Sequence, residues 1–287
     1  ITIKDLLFSS FTPPPKILTI DETIDIVIKN KLSVSRFGDG ELNMLLKSRD
    51  IGFQKLTPTL NSKLLKVLHS KNPQLLLCLP KFFKKQDFIN LKKDAAKFWK
   101  TFIIYNRKEL YKLINFEIIY GNTQFTRNYM DLNSYAKKNS KFYFDKVRKI
   151  WENRNVIIIE GYYTRFGVNN DLLANASSVK RILCPSQNAF DKYESILSEA
   201  LKQDKNALFL LAVGPTATIL AHDLCEKDIQ AIDIGHLDIE YEWYMRKATS
   251  KIPIPNKYVN EANSIINNMN DALEDYNYTK QIIFVVK

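Results

Sequence analysis

The chain is poor in the residues that cross-link or sharply bend a backbone: three cysteines, eight glycines and ten prolines in 287 residues, with only three histidines. Cys78, Cys184 and Cys225 are far apart and odd in number. No C-x-x-C or Cys/His ligand spacing accompanies them, which argues against a disulfide framework or a zinc site and for a reducing compartment. Glycine-rich phosphate motifs are missing as well: there is no Walker lysine loop and no G-x-G-x-x-G. No signal-peptide pattern opens the chain. The longest apolar run, Ala207 to Val213, is far too short to span a bilayer and is closed by Gly214-Pro215. These absences together read as a cytoplasmic protein.

What is present is a globular composition, 45% hydrophobic and 25% charged, which excludes a disordered chain. The net charge of +11 favours an anionic partner such as a nucleotide sugar, a nucleic acid or an anionic membrane surface. Because the lysines are scattered, solubility explains the charge equally well. Short apolar runs alternate with segments of helical spacing. Strands are expected at Leu32–Val34, Leu75–Leu79, Val156–Ile159, Arg181–Cys184, Ala207–Val213 and Ala231–Ile234, with an edge or closing strand at Ile282–Val286. Helices are expected after a capping box at Thr19/Glu22, from Pro58 to His69, from Phe88 to Phe102, from Phe142 to Trp151, from Phe190 to Leu201, and from Gly214 through Cys225. The polar, aromatic stretch Tyr120 to Met130 shows no periodicity and reads as a loop. With no linker or repeat, the pattern predicts one doubly wound α/β domain over 1–287, its core about 17–250 and a C-terminal extension over 251–287.

In such a sheet, ligands bind outside the carboxyl ends of the strands. Four polar segments fall there. Arg36-Phe37-Gly38-Asp39-Gly40-Glu41 offers two hard carboxylates suited to Mg²⁺ or Mn²⁺, with glycines that let the backbone approach a ligand, though Gly-Asp-Gly is also an ordinary turn. Arg165 to Asp171, which contains Asn170, is a polar loop. Gly214-Pro215-Thr216-Ala217-Thr218 opens a helix whose free N–H groups and threonine hydroxyls could hold a phosphate, or could simply cap the helix. Arg36 and Arg165 each lie beside a strand end, where a guanidinium could pair with a diphosphate or rest at the surface. The fourth segment carries His236, Asp238, Glu240 and Glu242. If it is helical, Asp238 and Glu242 share one face and His236 and Glu240 another, supplying a general base, metal ligands or merely solvated acids.

Taken in order, the Arg36–Glu41 stretch, Arg165-Phe166-Gly167-Val168-Asn169-Asn170-Asp171-Leu172, Cys184-Pro185-Ser186-Gln187-Asn188-Ala189-Phe190, Gly214–Thr218 and Asp233–Trp243 resemble the bacterial GT-D-type glycosyltransferases, first catalogued as a domain of unknown function. The resemblance runs from about Ser35 to Trp243. It implies a Rossmann-like fold, a mostly parallel sheet with helices on both faces, and a UDP-sugar donor, glucose being the family's known case. By position, Asp39 and Glu41 match the DXE pair that serves Mn²⁺ and the diphosphate, and His236 and Glu242 match the acidic segment near the active site. One departure is Val168-Asn169-Asn170, where a glycine is expected before the Asn-Asp pair.

The resulting expectation is a metal-dependent hexosyltransferase acting on a glycan acceptor carried by a glycoprotein or lipid, in bacterial surface glycan synthesis. Arg36, Arg165, Asn170, Gly38, Gly40 and the Gly214, Pro215, Thr216, Thr218 turn would hold the donor. Glu242 or Asp238, steadied by His236, would be the base if the enzyme inverts. No nucleic-acid partner is expected, since the aromatics mostly follow core spacing, while the basic face of the Phe88–Phe102 helix leaves room for contact with the inner face of the membrane. Two rival readings are a nucleotide-dependent phosphotransferase or phosphohydrolase, and a non-enzymatic basic binding module.

Overall fold

The structure is a computed structural model that describes residues 12–262 and 276–287. The weakly patterned start over 1–11 and the part of the C-terminal extension over 263–275 lie outside them. Nine strands form one sheet in which every pairing is parallel. In chain order they are β1 (Lys16–Ile17), β2 (Ser33–Arg36), β3 (Leu75–Leu79), β4 (Ile119–Asn122), β5 (Asn155–Gly161), β6 (Ser178–Cys184), β7 (Leu208–Ala212), β8 (Ala231–Asp233) and β9 (Ile282–Val285). Their order across the sheet is β1-β4-β3-β2-β8-β7-β5-β6-β9. The chain leaves β2 toward β3 on one side, whereas β8 is followed by β9 at the opposite edge. The β2/β8 boundary is therefore a switch point, where a crevice opens at the strands' carboxyl ends.

Helices cover both faces: α1 (Ile20–Asn30), α2 (Asp39–Lys47), α3 (Pro58–Leu68), α4 (Lys93–Leu113), α5 (Ser140–Arg148), α6 (Tyr193–Leu201), α7 (Pro215–Cys225) and α8 (Leu237–Met245). Two apolar clusters result, one on each face of the sheet, as fully buried parallel strands require. The capping box works as expected: the Glu22 N–H donates to Thr19 Oγ1 at 3.2 Å, and the Thr19 N–H donates to Glu22 Oε2 at 2.8 Å. Among the described residues no helix is long and apolar enough to cross a membrane.

Four sequence expectations change. The stretch over 120–130 is not a loop throughout; β4 occupies its start, and a 3-10 turn at Thr123–Thr126 follows. Gly121 hid the strand, because a side chain there has no room. A Cβ would sit 2.5 Å from Cys78 Sγ and 2.9 Å from Leu76 Cδ2. The second change concerns Asp39 and Glu41, which lie in the first turn of α2 rather than in a loop. Third, α4 begins later and runs further than its spacing suggested, with Phe88 in a separate 3-10 turn. Finally, the start of the C-terminal extension returns to the mouth of the sheet, where Lys251, Tyr258, Asn260 and Glu261 line a cleft.

Candidate active site

A cleft of about 650 Å³ opens over the carboxyl ends of β2, β5, β7 and β8. Its floor is tied together by Arg36, whose Nε donates to the Asp233 carbonyl at 3.0 Å and whose Nη2 donates to Asp233 Oδ1 at 3.1 Å. The same guanidinium donates through Nη1 to Thr126 Oγ1 at 2.6 Å. Thr218 sits behind this pair, its hydroxyl donating to the Arg36 carbonyl at 2.9 Å and lying 3.3 Å from Asp233 Oδ2. Burial raises the Asp233 carboxyl above its ordinary range while Arg36 and Thr218 pull it back. Gly235, at φ +50°, makes the arrangement possible, since a Cβ would fall 1.9 Å from Arg36 Nη2. Arg36 thus lines the cleft, but its donors are committed to β8 and to the turn after β4.

Asp39, Gly40 and Glu41 open α2 at the cleft wall, where unsatisfied N–H groups and the helix dipole favour negative charge. Glu41 reaches back so that the Gly38 N–H donates to its Oε2 at 2.9 Å. Burial, and after it the Asp233 charge, push the Glu41 carboxyl up to about 7. Arg36 pulls the other way, but Glu41 forms no ion pair among the described residues, and a divalent cation would supply a direct partner. Among the described residues no group of three or more His, Cys, Asp or Glu forms a metal-binding cluster. The donor set therefore fits Mg²⁺ or Mn²⁺ completed by a substrate's phosphate oxygens and water, not an all-protein cage.

Across the cleft Gly214 precedes α7. It holds φ +58°, and a Cβ there would meet Phe53 Cε2 at 2.4 Å. Pro215 takes the first helical position, and the Thr216 hydroxyl is buried with no hydrogen-bond partner. Pro215, Thr216 and Thr218 lie behind the cleft wall rather than on it. Arg165 and Asn170 are placed elsewhere too. Arg165 is buried at φ +48°, its guanidinium 5.8 Å from the centre of the Tyr278 ring. Asn169 adopts φ +61° at the position where a glycine was expected, and asparagine is among the side chains that tolerate this region.

The acidic segment is helical, as α8, and the two predicted faces form. On one, Asn170 Nδ2 donates to Asp238 Oδ1 at 2.8 Å and to Glu242 Oε1 at 2.7 Å. The buried Lys257 ammonium donates to Asp238 Oδ2 at 2.7 Å and to Glu242 Oε1 at 3.0 Å. Of the two acids only Asp238 lines the cleft. Burial would raise Glu242, yet Lys257 and Asn170 hold it below its ordinary value. On the other face, His236 caps α8 with Nδ1 at 3.5 Å from Arg127 Nη2. Burial and the neighbouring Arg127 depress the imidazole to about 4, so it is neutral at physiological pH. Glu240 is fully buried. Its Oε2 accepts the Tyr129 and Met130 N–H groups at 3.0 and 2.7 Å, while Oε1 lies 3.8 Å from Arg127 Nη1.

Sequence reasoning thus assembled Arg36, Gly38, Asp39, Gly40, Glu41, Gly214, His236 and Asp238 around one cleft. It missed Asp233, Arg127, Lys251, Lys257 and Glu261. Arg127 donates to Glu261 Oε1 at 2.5 Å, and Glu261 also pairs with Lys251. An Asp closing a strand beside the switch point was a usable signal for Asp233. For Arg127 and the 251–261 residues the pattern held none, because they reach the cleft from segments without periodicity.

The chain matches the model of the glycosyltransferase GT-D fold over residues 34–262. It is 36% identical over 248 residues to a probable glycosyl transferase Gly of Streptococcus gordonii, covering 86% of this chain and 36% of that protein. Against the glycosyltransferase GlyD of Streptococcus pneumoniae serotype 4, the identity is 36% over 265 residues, covering 92% of this chain and 32% of the relative. The chain therefore spans about a third of the length of these relatives. Among solved structures it is similar to the domain of unknown function 1792, described as having a distinct glycosyltransferase fold. That match has 36% identity and a TM-score of 0.90, and covers 99% of this chain and 100% of that one. A new glycosyltransferase from Streptococcus sanguinis gives 33% identity and a TM-score of 0.88, covering 96% and 100%. With the family match running from the first central strand through the cleft's last wall, the chain belongs to the glycosyltransferase GT-D fold family.

Proposed function

We propose that the chain moves a hexose, glucose first among candidates, from a UDP-sugar to a hydroxyl of a glycan acceptor, with the diphosphate between the first turn of α2 and Gly214. The observation that carries this reading is the Asp39/Glu41 pair at the β2/β8 switch point, where Glu41 forms no ion pair among the described residues. Mn²⁺ or Mg²⁺ held by these two carboxylates would supply charge neutralisation at the diphosphate as UDP leaves. The N-terminus of α7 meets the cleft at Gly214, where the helix dipole favours a phosphate's negative charge, with the Thr216 hydroxyl, unpartnered among the described residues, behind it. Arg127 and Lys251 add positive charge on the cleft wall. Arg36 acts by holding β2 and β8 in register rather than by clamping the phosphate. In an inverting transfer Asp238 would take the acceptor's proton, with Glu242 and Asn170 positioning it. His236, neutral and in the cleft, can accept a hydrogen bond from a sugar hydroxyl.

The acceptor would be carried on a glycoprotein or lipid. Lys97, Lys100, Ile104, Tyr105 and Lys108, exposed along α4, support a passing contact with an anionic membrane face during surface glycan synthesis. The test is UDP release from UDP-glucose with Mn²⁺ and with EDTA, in wild type and Asp39→Ala. Both treatments are expected to abolish release. Activity that survives both sinks the metal role, and release of inorganic phosphate in place of UDP sinks glycosyl transfer.

A further inference from the structure

Besides its charged groups, the cleft is lined by the apolar side chains Ile51, Phe53, Phe98 and Trp99. Two adjacent aromatics of α4 differ sharply there: Trp99 is 5% exposed and Phe98 is 48% exposed. Phe98 is nonetheless held in place. Its ring centre lies 5.3 Å from Trp99 at an interplanar angle of 79°, and 6.3 Å from Phe102 at 29°. Trp99 is itself braced by Phe82 at 4.7 Å. One helical turn earlier on the same face stands Asp94, exposed, lining the same cleft and engaged in no hydrogen bond or ion pair among the described residues. A fixed, half-exposed ring beside an uncommitted carboxylate is an unusual thing to leave at the mouth of a polar cleft.

We infer that Asp94 and Phe98 form a saccharide subsite that receives a pyranose ring of the acceptor. The inference rests on the glycosyl-transfer reading above and adds where the acceptor sits. A pyranose has an apolar C–H face and a rim of hydroxyl donors. The negative face of an aromatic ring suits the first, and a carboxylate, which only accepts hydrogen bonds, suits the second. The other ring in the expected substrates is uracil, which fits less well. It offers a single N–H donor to a carboxylate that can only accept. Asp94 and Phe98 are both exposed, so a longer glycan can continue from them into solvent.

Saturation-transfer NMR with cellobiose and N,N′-diacetylchitobiose, on the chain loaded with UDP and Mn²⁺, tests this, with calorimetric titration of UDP in parallel. Wild type is expected to show transfer to pyranose C–H protons from at least one disaccharide. Phe98→Ala and Asp94→Asn should each weaken that binding about tenfold, the size of one lost aromatic or charge-assisted contact, with UDP affinity unchanged. Phe98→Trp should restore it, and Tyr135→Ala, an exposed aromatic away from the cleft, should change nothing. A wild-type chain that binds UDP but neither disaccharide overturns the subsite and leaves the donor reading intact. So does a Phe98→Ala chain that keeps its saccharide affinity. Loss of UDP affinity in Phe98→Ala, with saccharide binding kept, gives the ring to the nucleobase and overturns the subsite. A wild-type chain that binds no UDP overturns both readings.

Discussion

Lys257 is 2% exposed and pairs with both Asp238 and Glu242, while Asn170 donates to both carboxylates and Arg246 Nε lies 3.3 Å from Glu242 Oε2. Removing one partner of a buried ion pair leaves the rest uncompensated, which costs about 3–5 kcal/mol. Lys257→Met should lower the unfolding free energy by about that amount in urea titrations, and adding Glu242→Gln should recover part of it. If the single variant unfolds like wild type, the cluster is not what holds residues 251–262 to α8. Glu240 makes a different prediction. Burial raises its carboxyl to about 7, against the pull of Arg127 and the Met130 N–H. Between its ordinary value of 4.5 and about 7 the folded chain keeps a proton that the unfolded chain releases, so stability falls as pH rises through this window. Glu240→Gln removes that slope. Urea midpoints of variant and wild type should diverge in the variant's favour from pH 5 to pH 7, and a gap that stays constant would disprove the account.

At the level of elements, most helices and the apolar strands were legible, whereas β1 and β4 were not. Val156–Ile159 and Ala207–Val213 are continuous apolar runs closed by turns, and they became β5 and β7. Thr19 and Pro58 marked helix starts that formed within a residue of their signals. β4 carries Gly and Asn in four residues, and its signal is steric rather than periodic. Gly121 packs where β3 passes closest, a fact invisible until both strands are in place. Gly121→Ala should therefore cost about 1–3 kcal/mol, the range for an overpacked core. Far-UV circular dichroism during thermal unfolding would read it as a lower midpoint, and an unchanged midpoint would show that Leu76 and Cys78 can give way. Loss of β9 should be felt at a distance too, since the Arg181 N–H donates to the Gln281 carbonyl at 2.7 Å and the Tyr278 hydroxyl to Glu160 at 3.1 Å.

For the whole molecule the cleft couples charge to ligand. Glu41 sits near 7 because burial and Asp233 oppose its ionisation. A bound cation would displace that proton, so cation affinity should rise as pH climbs through about 7. Thermal-shift titrations with Mn²⁺ at pH 6 and pH 8 should show tighter binding at the higher pH in wild type, and none of that difference in Glu41→Gln. Equal affinity at both pH values would mean that Glu41 stays outside the cation's shell. Of the cleft's cations, Arg127 pairs with Glu261 and Glu240, and Lys251 with Glu261 and Asp131.

The sequence by itself determined the fold class and the placing of the Arg36–Glu41, Gly214–Thr218 and Asp233–Trp243 segments at strand ends. These follow from local rules: apolar runs must be buried on both faces of a parallel sheet, and ligands gather where its strands end. Tertiary structure alone decided which charged groups face the cleft. Arg36 turned to Asp233, Glu242 turned to Lys257, and Arg165 withdrew beneath Tyr278. Each of those pairings joins segments distant in sequence or lacking any periodic signal. Whether a buried charge meets a partner or a substrate depends on what packs against it, and local spacing carries no record of that.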